Sequence, residues 1–178
     1  MPIAVTSFGP VGYNDYAREG LETFCRYWPG PVIAYHESEP PDFQHEKLEY
    51  RDLFADEECV SVLRWAKENP VLRGRIVHGY NYNFDLNKFC RKVFAFSDAC
   101  LKVNDLVFWL DADARLTVPI TEEFLTGLLK DNYCGVLARK EFHMDGAIVG
   151  VNSSLPINHR FMCRYRGLYT SSQILHLK

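Results

Sequence analysis

Two aspartates with one residue between them, Asp111 and Asp113, follow the most apolar run of the chain, Leu106 to Leu110. An uninterrupted apolar run is typical of a strand covered on both faces in the centre of an α/β sheet. Ligands of such sheets bind beyond the carboxyl ends of the strands. If the chain stays extended, residues two apart point the same way, so both carboxylates could face one Mg²⁺ or Mn²⁺ ion. These ions prefer oxygen ligands and commonly take one or two carboxylates together with substrate phosphates.

The alternative for this pair is a solvated turn in which Asp111 caps the following segment. An Asp-x-Asp pattern is short enough to arise by chance in 178 residues, so its position directly after the buried strand is what favours a metal site. A cation held there would bridge the diphosphate of a nucleotide-sugar. It would also stabilise the charge on the departing nucleoside diphosphate.

The first part of the chain predicts a strand, a helix and a second strand, which is the beginning of a parallel sheet. The predicted strands are 3–7 and 32–35, and a helix capped by Asn14 lies between them. One face of that helix is apolar at the spacing of a buried stripe, through Ala17, Leu21, Phe24, Cys25 and Trp28.

The remaining pattern predicts further helices and strands, with one long loop at 69–83 of the kind that is usually functional or mobile. We expect helices at 57–68, 87–101, 121–130 and after Pro156, and strands at 106–110, 134–138 and 147–151. The length suits one α/β domain spanning 1–178.

Three segments of the chain resemble, in sequence and in their order along the chain, segments of the glycosyltransferases of the GT-A fold. Residues 108–113, Phe-Trp-Leu-Asp-Ala-Asp, resemble their DxD strand, and 91–95 resemble the helix before it. Residues 143–150 resemble the segment in which these enzymes place an acceptor-side acid, followed by a glycine and a strand. The resemblance runs from Ser7 to about Tyr169. It implies a mainly parallel sheet with helices on both faces, and transfer of a sugar from a nucleotide-sugar, most often a UDP-sugar, to a glycan or other hydroxyl acceptor with Mn²⁺ or Mg²⁺.

The same resemblance implies which residues bind the nucleotide. The loops after the first two strands would hold the base and ribose, through Thr6, Ser7 and Phe8 and through Glu37, and Asp111 would contact the nucleotide through the metal. The alternatives are that Phe8 belongs to the core and that Glu37 is a solvated charge.

Lys92 is the residue implied to bind the phosphates. Lys88 and Lys92 are four residues apart on one predicted helix, where a pair of like charges is mildly unfavourable without an anionic partner. A diphosphate could be that partner, and a solvated basic face is the alternative.

Asp145 is the candidate general base on the acceptor side. A carboxylate there could remove the proton of an acceptor hydroxyl in an inverting reaction. Because Asp145 is followed by Gly146, and Asp-Gly is a strong turn signal, a simple turn aspartate is the alternative.

One departure from the family keeps another function open. The chain ends before the acidic, histidine-bearing segment that follows the last helix in such enzymes, so a catalytically idle binding or scaffold domain is an alternative. Two other enzyme classes are disfavoured. A haloacid-dehalogenase-type phosphatase commonly has a small hydroxyl residue where Arg115 stands. A sugar nucleotidyltransferase would need a lysine in the glycine-containing loop 7–12.

Composition excludes several further classes. A net charge of −3 provides no basic surface for nucleic acid. No apolar run is long enough to cross a bilayer and no signal peptide is visible, so we expect a cytoplasmic protein. The six cysteines lack CxxC spacing, which argues against a zinc site and indicates mostly buried, reduced thiols.

Overall fold

The computed structural model describes residues 1–76, 79–129, 132–137, 145–171 and 173. Its main sheet has six strands and a second sheet has two. In chain order the strands are β1 (Ile3–Phe8), β2 (Val32–His36), β3 (Leu48–Asp52), β4 (Arg73–Ile76), β5 (Gly79–Asp85), β6 (Leu106–Leu110), β7 (Cys134–Leu137) and β8 (Asp145–Asn152). The order in the main sheet is β3-β2-β1-β6-β8-β7, and β4 pairs with β5.

Four strands of the main sheet, β1, β2, β3 and β6, are parallel to one another. β2 pairs in parallel with both β1 and β3, and β1 pairs in parallel with β6. β8 runs antiparallel to β6, with Leu110 opposite Ile148, and β7 runs antiparallel to β8. The residues that end β1, β2 and β6 therefore lie at one edge of the sheet, and β8 begins at that same edge.

Helices cover both faces of the main sheet. They are α1 (Pro10–Gly12), α2 (Arg18–Tyr27), α3 (Glu57–Glu68), α4 (Leu86–Lys102), α5 (Glu122–Leu129) and α6 (Pro156–Thr170), with a π-helical segment at Tyr13–Ala17 between α1 and α2. α3, α4 and α6 enclose one apolar core. The π-helical segment, α2 and α5 enclose the other.

β6 alternates between these two cores. Val107 and Trp109 belong to the core under α4, whereas Phe108 and Leu110 belong to the core under α2. The Phe108 ring centroid lies 5.4 Å from that of Trp28. The prediction of an α/β fold, with a mainly parallel sheet and helices on both faces, is confirmed.

Apart from the start of the first helix, the predicted helices and strands are found with small shifts in their boundaries. α3 matches its prediction, because Asp56 accepts hydrogen bonds from the backbone N–H groups of Glu58 and Cys59, at 3.1 Å each, and begins the helix. Ala138 and Lys130, at the ends of a predicted strand and helix, lie outside the described residues.

Two expectations about the elements are wrong. The first helix begins at Pro10, which suits a first helical position, and Asn14 lies inside the π-helical segment and caps nothing. The predicted loop at 69–83 contains β4 and most of β5. Aromatic residues alternate with asparagines along 80–84, which is a strand signal that the Gly and Asn content obscured. The edge strand β3 was not predicted, since its residues are mostly polar.

In the part of the chain that the structure describes, no helix is both long and apolar enough to cross a membrane.

Candidate functional site

A cleft of about 570 Å³ opens at the edge where β1, β2 and β6 end. A cleft of this size is within the range of small-molecule sites. It collects most of the residues that the sequence singled out for chemistry. Its lining residues are Ser7, Phe8, Gly9, Tyr16, Glu37, Lys88, Phe89, Arg91, Lys92, Trp109, Asp111, Ala112 and Asp113.

The chain turns immediately after β6 instead of continuing in an extended conformation. The N–H of Ala114 donates to the carbonyl oxygen of Asp111 at 2.9 Å, which closes a turn over 111–114. The condition under which Asp111 and Asp113 would point the same way is therefore not met. Both aspartates nevertheless line the cleft, with Asp111 half-buried and Asp113 exposed.

Two residues that sequence reasoning missed, Gly20 and Arg115, hold this turn against α2. A Cβ atom on Gly20 of α2 would lie 2.5 Å from the carbonyl oxygen of Ala112, so only glycine allows α2 to approach this closely. The guanidinium of Arg115 donates to the carbonyl oxygen of Ala114 at 2.8 Å and forms an ion pair with Glu19 at 3.2 Å. A glycine inside a predicted helix was the available signal for such a close approach.

Asp111 has one charged partner and one neutral hydrogen-bond donor. Lys92 Nζ lies 3.1 Å from Asp111 Oδ1, and Trp109 Nε1 donates to the same oxygen at 2.5 Å. Lys92 also donates to the carbonyl oxygen of Gly146 and lies 5.0 Å from the centre of the Trp109 ring. Lys92 thus joins α4 to the end of β6 and to the start of β8.

Glu37 forms a two-pronged ion pair with Arg91 of α4. The distances are 2.6 Å from Arg91 Nε to Glu37 Oε1 and 2.9 Å from Nη2 to Oε2. The side chains are 11% exposed for Glu37 and 25% for Arg91, so Glu37 is not the solvated charge of the alternative interpretation. Burial alone would lower the pKa of Arg91, but its bonds to Glu37 outweigh that effect and raise it, so Arg91 remains charged.

The residues at the end of β1 differ in their access to the cleft. Ser7 and Phe8 line it, although Phe8 is only 5% exposed and its ring also packs on Tyr13, with 5.5 Å between ring centroids. Thr6 is buried and does not line the cleft. Its hydroxyl oxygen has no hydrogen-bond partner among the described residues.

Asp145 is the first residue of β8, and its backbone therefore lies at the edge of the sheet that carries the cleft. The N–H of Asp111 donates to the carbonyl oxygen of Ala147 at 2.9 Å, which holds the start of β8 beside the Asp-x-Asp turn. The side chain of Asp145, and the residues His78, His143 and Met144, lie outside what the structure describes.

The donor set at the turn consists of two carboxylates. Within the described ranges, no group of three or more His, Cys, Asp or Glu side chains is placed to hold a metal ion. A Mg²⁺ or Mn²⁺ ion commonly binds one or two carboxylates and takes its other ligands from phosphates and water. Asp111 and Asp113 fit an ion of that kind and do not fit a metal enclosed by protein ligands alone.

Comparisons with known proteins agree on the fold. No protein-family model matches the chain, and no curated protein sequence does. The structure is similar to that of mouse xyloside xylosyltransferase 1 in its apo form, with a TM-score of 0.57 and 12% identity over 99% of this chain and 74% of that chain.

It is also similar to the apo form of the glycosyltransferase GlyE of Streptococcus pneumoniae TIGR4, with a TM-score of 0.55 and 13% identity over 99% of this chain and 40% of that chain. A second structure of GlyE has a TM-score of 0.54 at 12% identity, over 100% of this chain and 41% of that chain. The chain therefore has the fold of these glycosyltransferases, and it spans less than half of the GlyE chain.

Proposed function

We propose that this chain takes part in glycosyl transfer from a nucleoside-diphosphate sugar to a hydroxyl acceptor, with Mn²⁺ or Mg²⁺ at the Asp-x-Asp turn. The observation that carries the proposal is the combination of Asp111 and Asp113 with Lys88 and Lys92 in one cleft at the carboxyl ends of parallel strands. Carboxylates for a cation beside lysines for phosphates are the charges that a metal–diphosphate ligand requires. The shared fold with glycosyltransferases supports the same assignment.

Six of the lining residues would have definite tasks. Asp111 and Asp113 would hold the cation, and Lys92 would leave Asp111 to bind a phosphate once the cation replaces its charge. Ser7 and Phe8 would contact the nucleoside, for which uridine is favoured by the resemblance. Glu37 would accept from the ribose or base, because a carboxylate that is bonded to Arg91 still has free lone pairs.

Asp145 would act as the general base towards the acceptor hydroxyl. Its support is its position as the first residue of β8, beside the turn that carries the metal ligands. A carboxylate at hydrogen-bond distance from the acceptor could remove the proton as the new bond forms.

A second candidate is a domain that binds the nucleotide-sugar without turning it over. The ion pair of Lys92 with Asp111 favours this candidate, because an ammonium group already supplies the positive charge that a metal would bring. The two candidates differ in metal dependence and in turnover.

Thermal unfolding in the presence of UDP, GDP, CDP or ADP, each with Mn²⁺ or with a chelator, tests the donor site. A ligand at about a hundred times its Kd adds roughly 2.7 kcal/mol to the stability, which raises the midpoint by roughly 5–10 °C for a chain of this size. We expect a metal-dependent shift with UDP that Asp113→Asn abolishes. Glu123→Gln, which removes an exposed carboxylate on α5, should leave the shift unchanged.

Release of UDP from UDP-sugars, measured with the same variants, separates the two candidates. Turnover that requires Mn²⁺ supports the transferase. A shift that survives chelation, without any turnover, supports the binding domain. Absence of a shift with every nucleotide would contradict both.

A further inference from the structure

A second cavity of about 400 Å³ lies between α3, β4 and α4, outside the nucleotide cleft. It is distinguished by its many basic side chains above an apolar floor. Its lining residues are Phe54, Val60, Leu63, Arg64, Lys67, Arg73, Asn87 and Arg91. We refer to it as the basic cavity.

The positive charge of the basic cavity is not balanced from within. Arg64, Lys67 and Arg73 are exposed, and none of them forms an ion pair with another residue in the described part of the chain. No carboxylate is among the described lining residues. Since the whole chain carries a net charge of −3, this concentration of cations is a local feature, and it attracts anions to this position.

Arg91 lies between the basic cavity and the nucleotide cleft. It lines both cavities, and its guanidinium is paired with Glu37 on the side of the nucleotide cleft. Arg91 is thus neutralised, whereas the three other cations of the basic cavity are available to a ligand. The remaining lining residues of the two cavities differ, so a ligand of one can be told from a ligand of the other.

The floor of the basic cavity indicates what else such a ligand carries. Phe54 is 38% exposed, and Val60 and Leu63 are partly buried beside it. Apolar surface next to cations suits a ligand that joins an anionic group to a ring or hydrocarbon part. Arginine forks match the oxygens of a phosphate, and a phosphate with a charge of about −1.5 to −2 balances several cations better than one carboxylate does.

We propose that the basic cavity binds a phosphate ester of a small molecule, with the phosphate on Arg64, Lys67 and Arg73 and the organic part on Phe54. This site does not depend on the metal or on the nucleotide cleft.

Backbone amide shifts in a ¹H–¹⁵N NMR titration of the full chain, recorded with a chelator, test the proposal. The probes are phenyl phosphate, inorganic phosphate and benzoate. We expect phenyl phosphate to bind most tightly, because it alone offers both parts of the ligand. The amides that move should lie on α3, β4 and the first turns of α4. Free phosphate as the natural ligand would instead be indicated by equal affinity for the two phosphates, and would overturn the ester.

Variants locate the site. Arg64→Gln and Arg73→Gln should each weaken phenyl phosphate binding about tenfold, which corresponds to the lower end of a charged hydrogen bond. Arg160→Gln, which removes an exposed arginine on α6, is the matched control and should change nothing. Since these side chains are exposed, the melting temperature should be unchanged.

Three further results would overturn the proposal. One is the absence of saturable shifts on α3 and β4 at millimolar phenyl phosphate. Another is a loss with Arg160→Gln as large as that with Arg73→Gln, which would mean unspecific charge attraction. The third is a loss with Asp113→Asn or Lys88→Gln in place of Arg73→Gln, which would assign the ligand to the nucleotide cleft. Because the titration contains no metal, failure of the proposed glycosyl transfer would not affect it.

Discussion

At the scale of single residues, Lys92 of α4 contacts residues of both β6 and β8 and the turn after β6. Its ammonium group contacts the carboxylate of Asp111, the carbonyl oxygen of Gly146 and the face of Trp109. These contacts place a positive charge beside the two aspartates of the cleft, which is where the proposed diphosphate needs one. They also mean that Lys92 and a metal ion would compete for Asp111.

We predict that Lys92→Ala weakens UDP binding in the presence of Mn²⁺ about tenfold, since a charged hydrogen bond to a phosphate contributes about 1.5–3 kcal/mol. Isothermal titration of UDP measures the effect. Lys102→Ala is the matched control, because Lys102 lies at the far end of α4, where its exposed side chain pairs with Asp98. Equal affinity in the two variants would show that Lys92 does not contact the nucleotide.

At the scale of elements, the Asp-x-Asp turn depends on how closely α2 approaches the end of β6. Gly20 faces the carbonyl oxygens of Ala112 and Ala114, at 2.5 and 3.3 Å from where its Cβ would be. Arg115 links the same turn to α2, because it donates to the carbonyl oxygen of Ala114 and forms an ion pair with Glu19. The positions of Asp111 and Asp113 therefore depend on a helix whose own residues do not line the cleft.

Gly20→Ala should lower the free energy of unfolding by about 1–3 kcal/mol, because the added methyl group meets backbone atoms that must move. This cost exceeds the gain of about 0.5–1 kcal/mol that alanine brings to a helix. Urea denaturation measures the change, and the nucleotide-induced thermal shift should decrease with it.

Gly127→Ala on α5 is the control for this substitution. No atom lies within 4 Å of the position of its Cβ, so only the helix propensity changes and the protein should become more stable. If both variants gained stability, the close packing at Gly20 would be disproved.

At the scale of the whole molecule, the main sheet lies between two apolar cores, and most of the cysteines are buried. Cys25, Cys59, Cys90 and Cys100 are buried, whereas Cys134 and Cys163 are exposed. Burial raises the pKa of Cys25 to about 11 and the pKa values of Cys90 and Cys100 to about 12. It raises the pKa of Cys59 as well. The reactive thiolate form is therefore scarce at each buried site.

We predict that two thiols per chain react rapidly with Ellman's reagent at pH 8 and that all six react in denaturant, as the distribution of exposed and buried cysteines requires. Replacing Cys134 and Cys163 by serine should remove the rapid phase. A third rapid thiol in the native protein would contradict the burial of the cores.

The sequence by itself determined the types of most elements and the place of the aspartates. Apolar periodicity is a local property, so the buried face of α2 and the central strand β6 were evident without a structure. The aspartates follow that strand directly, and the topology of an α/β sheet brings the ends of its parallel strands together. Residue type and position therefore pointed to Asp111 and Asp113, and the family resemblance pointed to Lys92; all three line the cleft.

Tertiary structure alone decided the contacts between distant residues. Glu37 and Arg91 are 54 residues apart, and their pairing depends on how α4 packs against the end of β2. The support of the turn by Gly20 and the sharing of Arg91 between two cavities depend on packing in the same way. The polar strand β3 forms at the edge of the sheet because its backbone can pair with that of β2. Such features arise from the distances between elements, and no periodicity along the chain encodes those distances.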